Sequence, residues 1–335
     1  MSNQTLIDKF GREHDYLRIS VTDRCNLRCI YCMPEEGMEF EPAEHLLTYE
    51  EITDVVRVLA GMGVRKLRLT GGEPLVRKEL DVLVGMLSQI PGIEDIALTT
   101  NGIYLASRAE KLKEAGLTRV NISLDSLQSD RFKSITRGGD ITKVLASIDE
   151  CLKVGLSPIK LNVVLMKGIN DDEIADFLSL TMQRDINVRF IEYMPIGHHD
   201  AQWKSLYQPL TQVFEVCTEN NWSFQAASSL QGNGPSDNYK LDGAKGSFGL
   251  IHPISNHFCK TCNRLRLTAD GYIKPCLAWS EQYQVRRVIG DDEAVRQLFL
   301  EALDTKPESH EMSKHLLEEE TTHTPTARRM SQIGG

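Results

Sequence analysis

Between residues 17 and 194 the chain alternates short β-branched apolar runs with longer amphipathic segments. The short runs are LRISV, KLRLT, DIALT, RVNISL, IKLNVVL and VRFIEYM, each of strand length. Between them lie YEEITDVVRVLAGMG, ELDVLVGMLSQI, LASRAEKLKEAG, ITKVLASIDECLKVG and DDEIADFLSLTMQRD, where apolar residues recur at helical spacing. The first of these follows Thr48, and Glu51 three residues on completes the spacing of a capping box. Strand and helix in alternation predict repeated βα units and a parallel sheet. Six units fall short of a closed eight-unit barrel and predict an α/β fold of partial (β/α)6, TIM-like form.

After Pro195 the pattern changes. Residues 226–237 are rich in Ser, Gly and Asn without period, and the residues beyond them read as short strands with turns. A smaller C-terminal region is expected, and the chain is divided into 1–215 and 216–335. Within the second part RLRLTADGYIKPCL alternates on both sides of Asp270-Gly271, which predicts a hairpin closed by a type I′ turn, with Cys262 and Cys276 on its flanks. The last residues mix Glu318-Glu319-Glu320 with Arg328-Arg329 and end in Gly334-Gly335; by composition alone they read as a mobile, solvated tail.

At 335 residues, 41% hydrophobic and 25% charged, the chain has ordinary globular composition and can bury a sizeable core. Its net charge of −9 argues against a broad nucleic-acid-binding surface and leaves room for a local basic pocket, so small-molecule partners are expected. The opening MSNQTLIDKFGREHDYLRIS has no apolar stretch of signal-peptide type, and no segment approaches the roughly 18 apolar residues of a membrane span. A cytoplasmic location is expected, with neither membrane nor nucleic acid as a partner. Neither a P-loop nor a G-x-G-x-x-G after a strand is present.

The eight cysteines change the picture most. A reducing compartment disfavours a disulfide framework and favours metal ligation or catalysis. Cys151 and Cys217 stand alone in helical patterns and read as packed small hydrophobes. Cys25, Cys29 and Cys32, spaced C-x3-C-x2-C directly after a strand, put three thiolates on one loop. A [4Fe–4S] cluster takes four cysteines, so three leave one iron open for a substrate, much as catalytic zinc sites keep an open position. Spacing alone equally allows zinc with a distant fourth ligand. Cys259, Cys262 and Cys276 form a second trio, C-x2-C-x13-C, for which a zinc site would recruit His257 or His252. The run His198-His199-Asp200 lies in a polar loop and reads as solvated.

TDRCNLRCIYCMP, with Tyr31 between the last two cysteines, and LTGGEP at residues 69–74 resemble the cluster loop and glycine pair of the radical S-adenosylmethionine (radical SAM) enzymes. With CNRLRLTADG and the ending RRMSQIGG, the chain is similar over nearly its full length to the GTP 3′,8-cyclase family of molybdenum cofactor biosynthesis. That resemblance implies a radical SAM partial barrel with a [4Fe–4S] cluster on Cys25, Cys29 and Cys32. It also implies a C-terminal substrate-binding region with a second [4Fe–4S] cluster on Cys259, Cys262 and Cys276. The first cluster and S-adenosylmethionine would generate a 5′-deoxyadenosyl radical that takes a hydrogen from C3′ of GTP, and the C3′ radical would attack purine C8. The product implied is (8S)-3′,8-cyclo-7,8-dihydroguanosine 5′-triphosphate, with the second cluster holding the guanine.

By the same resemblance S-adenosylmethionine would meet Tyr31, Gly72, Ser123 and Met194, and GTP would meet Arg18, Arg68, Thr99, Lys160, Arg264, Leu265 and Arg266. Arg264 and Arg266 would also join the cysteine loop in catalysis. Cationic side chains suit a triphosphate. Asn101, Glu73 and Asp125 are expected nearby, as ligand or scaffold. The Gly-Gly tail would reach the catalytic pocket with help from Arg328 and Arg329. A homodimer, a cellular electron donor and a downstream cyclic pyranopterin monophosphate synthase are implied as partners. The alternatives are a radical SAM peptide maturase with an auxiliary cluster, which calls for a cysteine-richer C-terminal region, and an electron carrier or zinc-stabilised binding module, which needs no GGEP. An RNA-modifying enzyme is disfavoured by the acidic balance.

Overall fold

Each of the six apolar runs becomes a strand in the computed structural model, which describes residues 5–197, 202–227, 234–317 and 319–334. They are β1 (Tyr16–Ser20), β2 (Lys66–Thr70), β3 (Asp95–Thr100), β4 (Arg119–Ser123), β5 (Ile159–Leu165) and β6 (Ile186–Glu192). They lie in chain order, every neighbouring pair parallel. The register aligns Leu17 with Leu67, Leu67 with Ile96, and Leu161 with Val188, so the core-forming apolar residues of every strand share one face. Helices α1 (Tyr49–Ala60), α2 (Leu80–Ser88), α3 (Ala109–Glu114), α4 (Ser129–Thr136), α5 (Ile141–Lys153) and α6 (Ile174–Gln183) supply the apolar residues that join this face in one core.

The capping box of α1 forms as expected: Glu51 N–H donates to Thr48 Oγ1 at 3.1 Å and Thr48 N–H to Glu51 Oε2 at 2.7 Å. LASRAEKLKEAG divides into a 3₁₀ turn over Ala106–Arg108 followed by α3. Helix α4 was not legible in SDRFKSIT, which buries only Phe132, Ile135 and Thr136. Cys151 on α5 is buried, as is Cys217 in the helix Gln212–Glu219.

The C-terminal residues add α7 (Gln202–Leu206), α8 (Gln212–Glu219), β7 (Phe224–Ala226), β8 (Asp237–Leu241), β9 (Ser247–Ile251), β10 (Arg264–Leu267), β11 (Tyr272–Lys274), β12 (Tyr283–Gln284), α9 (Asp292–Asp304), α10 (Met312–Leu317) and α11 (Met330–Ile333). Their strands have no sheet of their own. β9 pairs in parallel with β6 and β10 in parallel with β1, so both open edges of the six-stranded arc are covered. β8 and β7 continue antiparallel beyond β9, and β11 and β12 beyond β10, in the order β12-β11-β10-β1-β2-β3-β4-β5-β6-β9-β8-β7. Phe214 of α8 stacks on Phe224 of β7 at 5.1 Å between ring centroids and fixes that helix to the new edge. No helix among the described residues is long and apolar enough to cross a membrane.

The β10–β11 hairpin departs from the expected type I′ turn. Only Gly271 has positive φ, +83°; Asp270 does not. Thr268 N–H donates to Tyr272 O at 2.8 Å and Gly271 N–H to Thr268 O at 3.0 Å, which closes a three-residue loop ending in a left-handed glycine. The Thr268 hydroxyl oxygen accepts from Tyr272 N–H at 2.8 Å and favours this wider loop over the two-residue one.

Candidate active site

The strand residues out of phase with the core build a cavity towards the C-terminal ends of the strands. Arg18 of β1, Arg68 of β2, Thr99 of β3, Ser123 of β4, Asn162 of β5, Arg189 of β6, and Arg264 and Arg266 of β10 all line it. Register places Arg18 directly between Arg68 and Arg266. The empty space, mouth and adjoining solvent included, is about 1480 Å³.

Five arginines line this cavity against one carboxylate, Asp125, among the described residues. Arg119 and Lys160 are buried one layer deeper on the same face of β4 and β5. Arg119 has a partner, its Nε donating to Asp95 Oδ1 at 3.1 Å. Burial, reinforced by Arg189, Arg119 and Arg68, brings the Lys160 amine down to about 6. Burial and neighbouring cations likewise bring Arg68 down to about 9 and Arg189 to about 10. The buried Nε atoms of Arg18, Arg68 and Arg264 find no hydrogen-bond partner among the described residues. Unsatisfied buried donors and crowded like charges are both costly, and one polyanion would relieve both.

The first cysteine loop is fastened to the end of β2. Gly72 N–H donates to Thr22 O at 2.9 Å and Glu73 N–H to Arg24 O at 2.8 Å. A Cβ on Gly71 would lie 2.4 Å from Thr22 O, and one on Gly72 would lie 2.5 Å from Arg24 O. The glycine pair is therefore required by packing against the loop backbone, while both residues also line the cavity. Glu73, almost fully buried, accepts from Thr100 Oγ1 at 2.7 Å and from the N–H groups of Asn101 and Leu75 at 2.7 and 3.0 Å. Asn101 passes the connection on, its Nδ2 donating to Asn26 Oδ1 at 2.8 Å. Asp125 accepts from Tyr31 OH at 2.7 Å and Val164 N–H at 2.8 Å. All three brace the loop, and Asn101 and Asp125 also line the cavity.

Cys25, Cys29 and Cys32 all line the cavity, with Tyr31, Gly72, Ser123 and Met194. Leu27 N–H points at Cys25 Sγ at 3.4 Å. Burial pushes the free thiols up, Cys25 to about 11 and Cys32 to about 12, so metal binding there would release their protons. Three thiols on one loop, one already receiving an N–H···S bond, fit an iron–sulfur cluster with one iron unclaimed.

Six wall residues, Met194, Pro253, Phe258, Arg264, Arg266 and Leu277, also line an adjoining pocket of about 600 Å³ that contains Cys259, Cys262 and Cys276. Burial raises the Cys262 thiol, yet Lys306, Arg264 and Arg12 outweigh it and bring the group down to about 6. His310 lines this pocket, whereas His252 and His257 do not; His252 Nδ1 lies 3.7 Å from buried Glu192. Among the described residues no three His, Cys, Asp or Glu side chains gather about a single-ion point, a point that a cluster binding each thiolate through a separate iron does not require.

The tail is docked and not solvated. Arg328 pairs with Asp270 at 2.8 Å, Ile333 is buried with Trp203, Ile254 and Trp279, and Met330 and Ser331 line the main cavity. Gly334 has φ +68°, its carbonyl accepts from Arg266, and a Cβ there would lie 2.1 Å from Thr70 Oγ1. Composition alone misreads this segment because its few apolar residues find partners distant in sequence. Gly335, Glu318 and the run His198-His199-Asp200 lie outside the described residues.

Leu265 is separated from its two neighbours: its side chain packs in the core opposite Leu17. Lys160 belongs to the buried layer beneath the lining. Arg12, Arg119, Arg189 and Lys306 were missed. The signal for Arg119 and Arg189 was present, since polar residues in one phase of RVNIS and INVRFIE are foreign to parallel strands covered on both faces.

Two family models match. The radical SAM superfamily matches residues 19–181, and Molybdenum Cofactor Synthesis C matches residues 186–312. A protein of Listeria monocytogenes serovar 1/2a described as GTP 3′,8-cyclase is 59% identical over 332 residues, covering 99% of this chain and 100% of its own. One of Lactiplantibacillus plantarum with the same description is 51% identical, covering 99% and 100%. The crystal structure of Streptococcus suis SuiB bound to S-adenosylmethionine superposes with TM-score 0.61 at 15% identity over 92% of this chain and 69% of that one, a likeness of fold alone. The full-length relatives leave the peptide-maturase alternative without support.

Proposed function

Because the chain belongs to the GTP 3′,8-cyclase family of radical SAM enzymes, we infer that its arginine-lined cavity holds GTP between two iron–sulfur centres. The reaction is the S-adenosylmethionine-dependent conversion of GTP to (8S)-3′,8-cyclo-7,8-dihydroguanosine 5′-triphosphate, the first step of molybdenum cofactor biosynthesis, and the cofactors are two [4Fe–4S] clusters and S-adenosylmethionine. When bound, the first cluster, which Cys25, Cys29 and Cys32 would hold, and S-adenosylmethionine would supply the radical chemistry that takes hydrogen from C3′ of GTP and lets C3′ bond to C8, one electron and one proton then completing the 7,8-dihydro product.

The chain's own residues divide the remaining work. Cys25, Cys29 and Cys32 hold the first cluster, and Tyr31, Gly72, Ser123 and Met194 bound the space for S-adenosylmethionine. Arg18, Arg68, Arg189 and Arg266, backed by Lys160, receive the triphosphate, and Thr99 lines the same wall. Arg264, in the wall shared with the adjoining pocket, stands between the triphosphate end and the base held at Cys259, Cys262 and Cys276; Leu265 offers backbone only. The docked tail adds Met330 and Ser331 to the cavity lining and packs beside Thr70. Residues 1–215 thus form the radical-generating part and 216–335 the part that reads the base. A cytoplasmic homodimer that draws on a cellular electron donor and passes its product to a cyclic pyranopterin monophosphate synthase completes the reading.

What carries it is the cation set: five arginines lining one cavity in a chain of net charge −9, far more than a cofactor bearing a single carboxylate requires. The test is anaerobic. Protein reconstituted with iron and sulfide is given S-adenosylmethionine, a strong reductant and one nucleoside triphosphate at a time, and the quenched mixtures are chromatographed. 5′-Deoxyadenosine accompanied by loss of GTP, with ATP, CTP and UTP untouched, is the expected result. Cofactor cleavage without loss of GTP would remove GTP as the substrate.

A further inference from the structure

The second cysteine trio shares its pocket with four cationic side chains, Arg12, Arg264, Arg266 and Lys306. Lys306 is only 3% exposed. Its Nζ lies 3.6 Å from Cys262 Sγ and donates to Arg264 O at 2.6 Å. The residue is rigidly placed just after α9. Its backbone N–H donates to Leu303 O at 3.0 Å, and the next two carbonyls, of Pro307 and Glu308, each accept from Arg12 at 2.8 Å. The same guanidinium reaches Cys259 O at 2.8 Å.

We propose that Lys306 is a positioning residue of the second cysteine site: through its N–H···S contact with Cys262 it raises the reduction potential of the cluster held there. This rests on the reading that Cys259, Cys262 and Cys276 hold an iron–sulfur cluster. One-electron reduction adds a negative charge to the cluster, and a fixed ammonium at 3.6 Å from a ligand sulfur stabilises that form over the oxidised one. The link to Arg264 O ties the same ammonium to β10, so cluster and arginine wall are set by one side chain.

The test uses the full-length chain carrying Cys25→Ala, Cys29→Ala and Cys32→Ala, in which only the second trio can hold iron. After anaerobic reconstitution, iron and sulfide are counted and the cluster is titrated potentiometrically with electron paramagnetic resonance as the readout. Failure of this parent to hold iron defeats the cluster reading and is distinct from failure of the proposal. With the cluster in place, Lys306→Met is expected to lower the reduction equilibrium constant at least tenfold, a shift of about 59 mV for one electron. Lys306→Gln, which keeps a donor for Arg264 O without the charge, is expected to stay low, and Lys306→Arg to recover most of the difference. A potential unchanged in both neutral variants would overturn the proposal. So would loss of iron from both, which would assign Lys306 to cluster assembly.

Discussion

Lys160 shows how the cavity is charged for its ligand. A base whose folded-state pKa lies below its unfolded value binds fewer protons folded than unfolded, so its contribution to stability grows as pH rises. For Lys160 that window runs from about 6 towards the ordinary lysine value of 10.5. Bound triphosphate reverses the balance by favouring the ammonium, so binding takes up protons and affinity falls as pH rises above about 6. Titration calorimetry at about pH 7 in buffers of differing ionisation enthalpy is expected to show net proton uptake with GTP, most of it lost in Lys160→Met. Absence of uptake in the unmodified protein would remove Lys160 from the triphosphate site. Along the chain this lysine stands apart from other cations; the crowding with Arg68, Arg119 and Arg189 exists only once three further strands are aligned with β5.

Among elements, the junction of β2 with the cysteine loop is the least tolerant. Gly72→Ala would place a methyl carbon 2.5 Å from Arg24 O and 2.6 Å from Asp23 O, backbone atoms that cannot step aside. We expect a loss of about 1–3 kcal/mol, the range for overpacked sites, together with loss of iron from the first trio, checked by thermal unfolding and metal analysis. Gly85→Ala, with nothing within 4 Å of the new carbon, is the control and should leave iron content unchanged. All six strands were legible because their apolar phase is fixed by burial on one face, and α1 because its capping box is local. Helix α4 and the β10–β11 turn were not. The first buries too few residues to show a period, and the second depends on which atom the Thr268 hydroxyl bonds.

At the scale of the molecule, residues near the N-terminus hold together a site formed by residues far along the chain. Arg12 donates to buried Asp8 at 2.6 Å and to the carbonyls of Cys259, Pro307 and Glu308 at 2.8 Å each. Arg12→Met strands the Asp8 carboxylate and three carbonyls; breaking a buried charge pair in this way costs about 3–5 kcal/mol. Iron of the second trio should be lost while that of the first remains, measured as iron per chain in this variant with either trio replaced by alanine. Equal loss from both trios would show Arg12 serving the whole fold and not this site.

The sequence by itself determined the βα alternation, the two cysteine trios and the family, because hydrophobic period and ligand spacing are properties of neighbours along the chain. It also determined that Cys151 and Cys217 are core residues. Only the tertiary structure decided that β9 and β10 cover the two edges of the arc and that Leu265 turns away from Arg264 and Arg266. It likewise decided that Arg12, Arg189 and Lys306 belong to the site, while the docked tail agrees with what the family resemblance implied against composition. The physical reason is common to all of these. Each depends on strand register, or on a hydrogen bond between residues far apart in the chain, and such pairings take their energy from burial that does not exist until the sheet has formed.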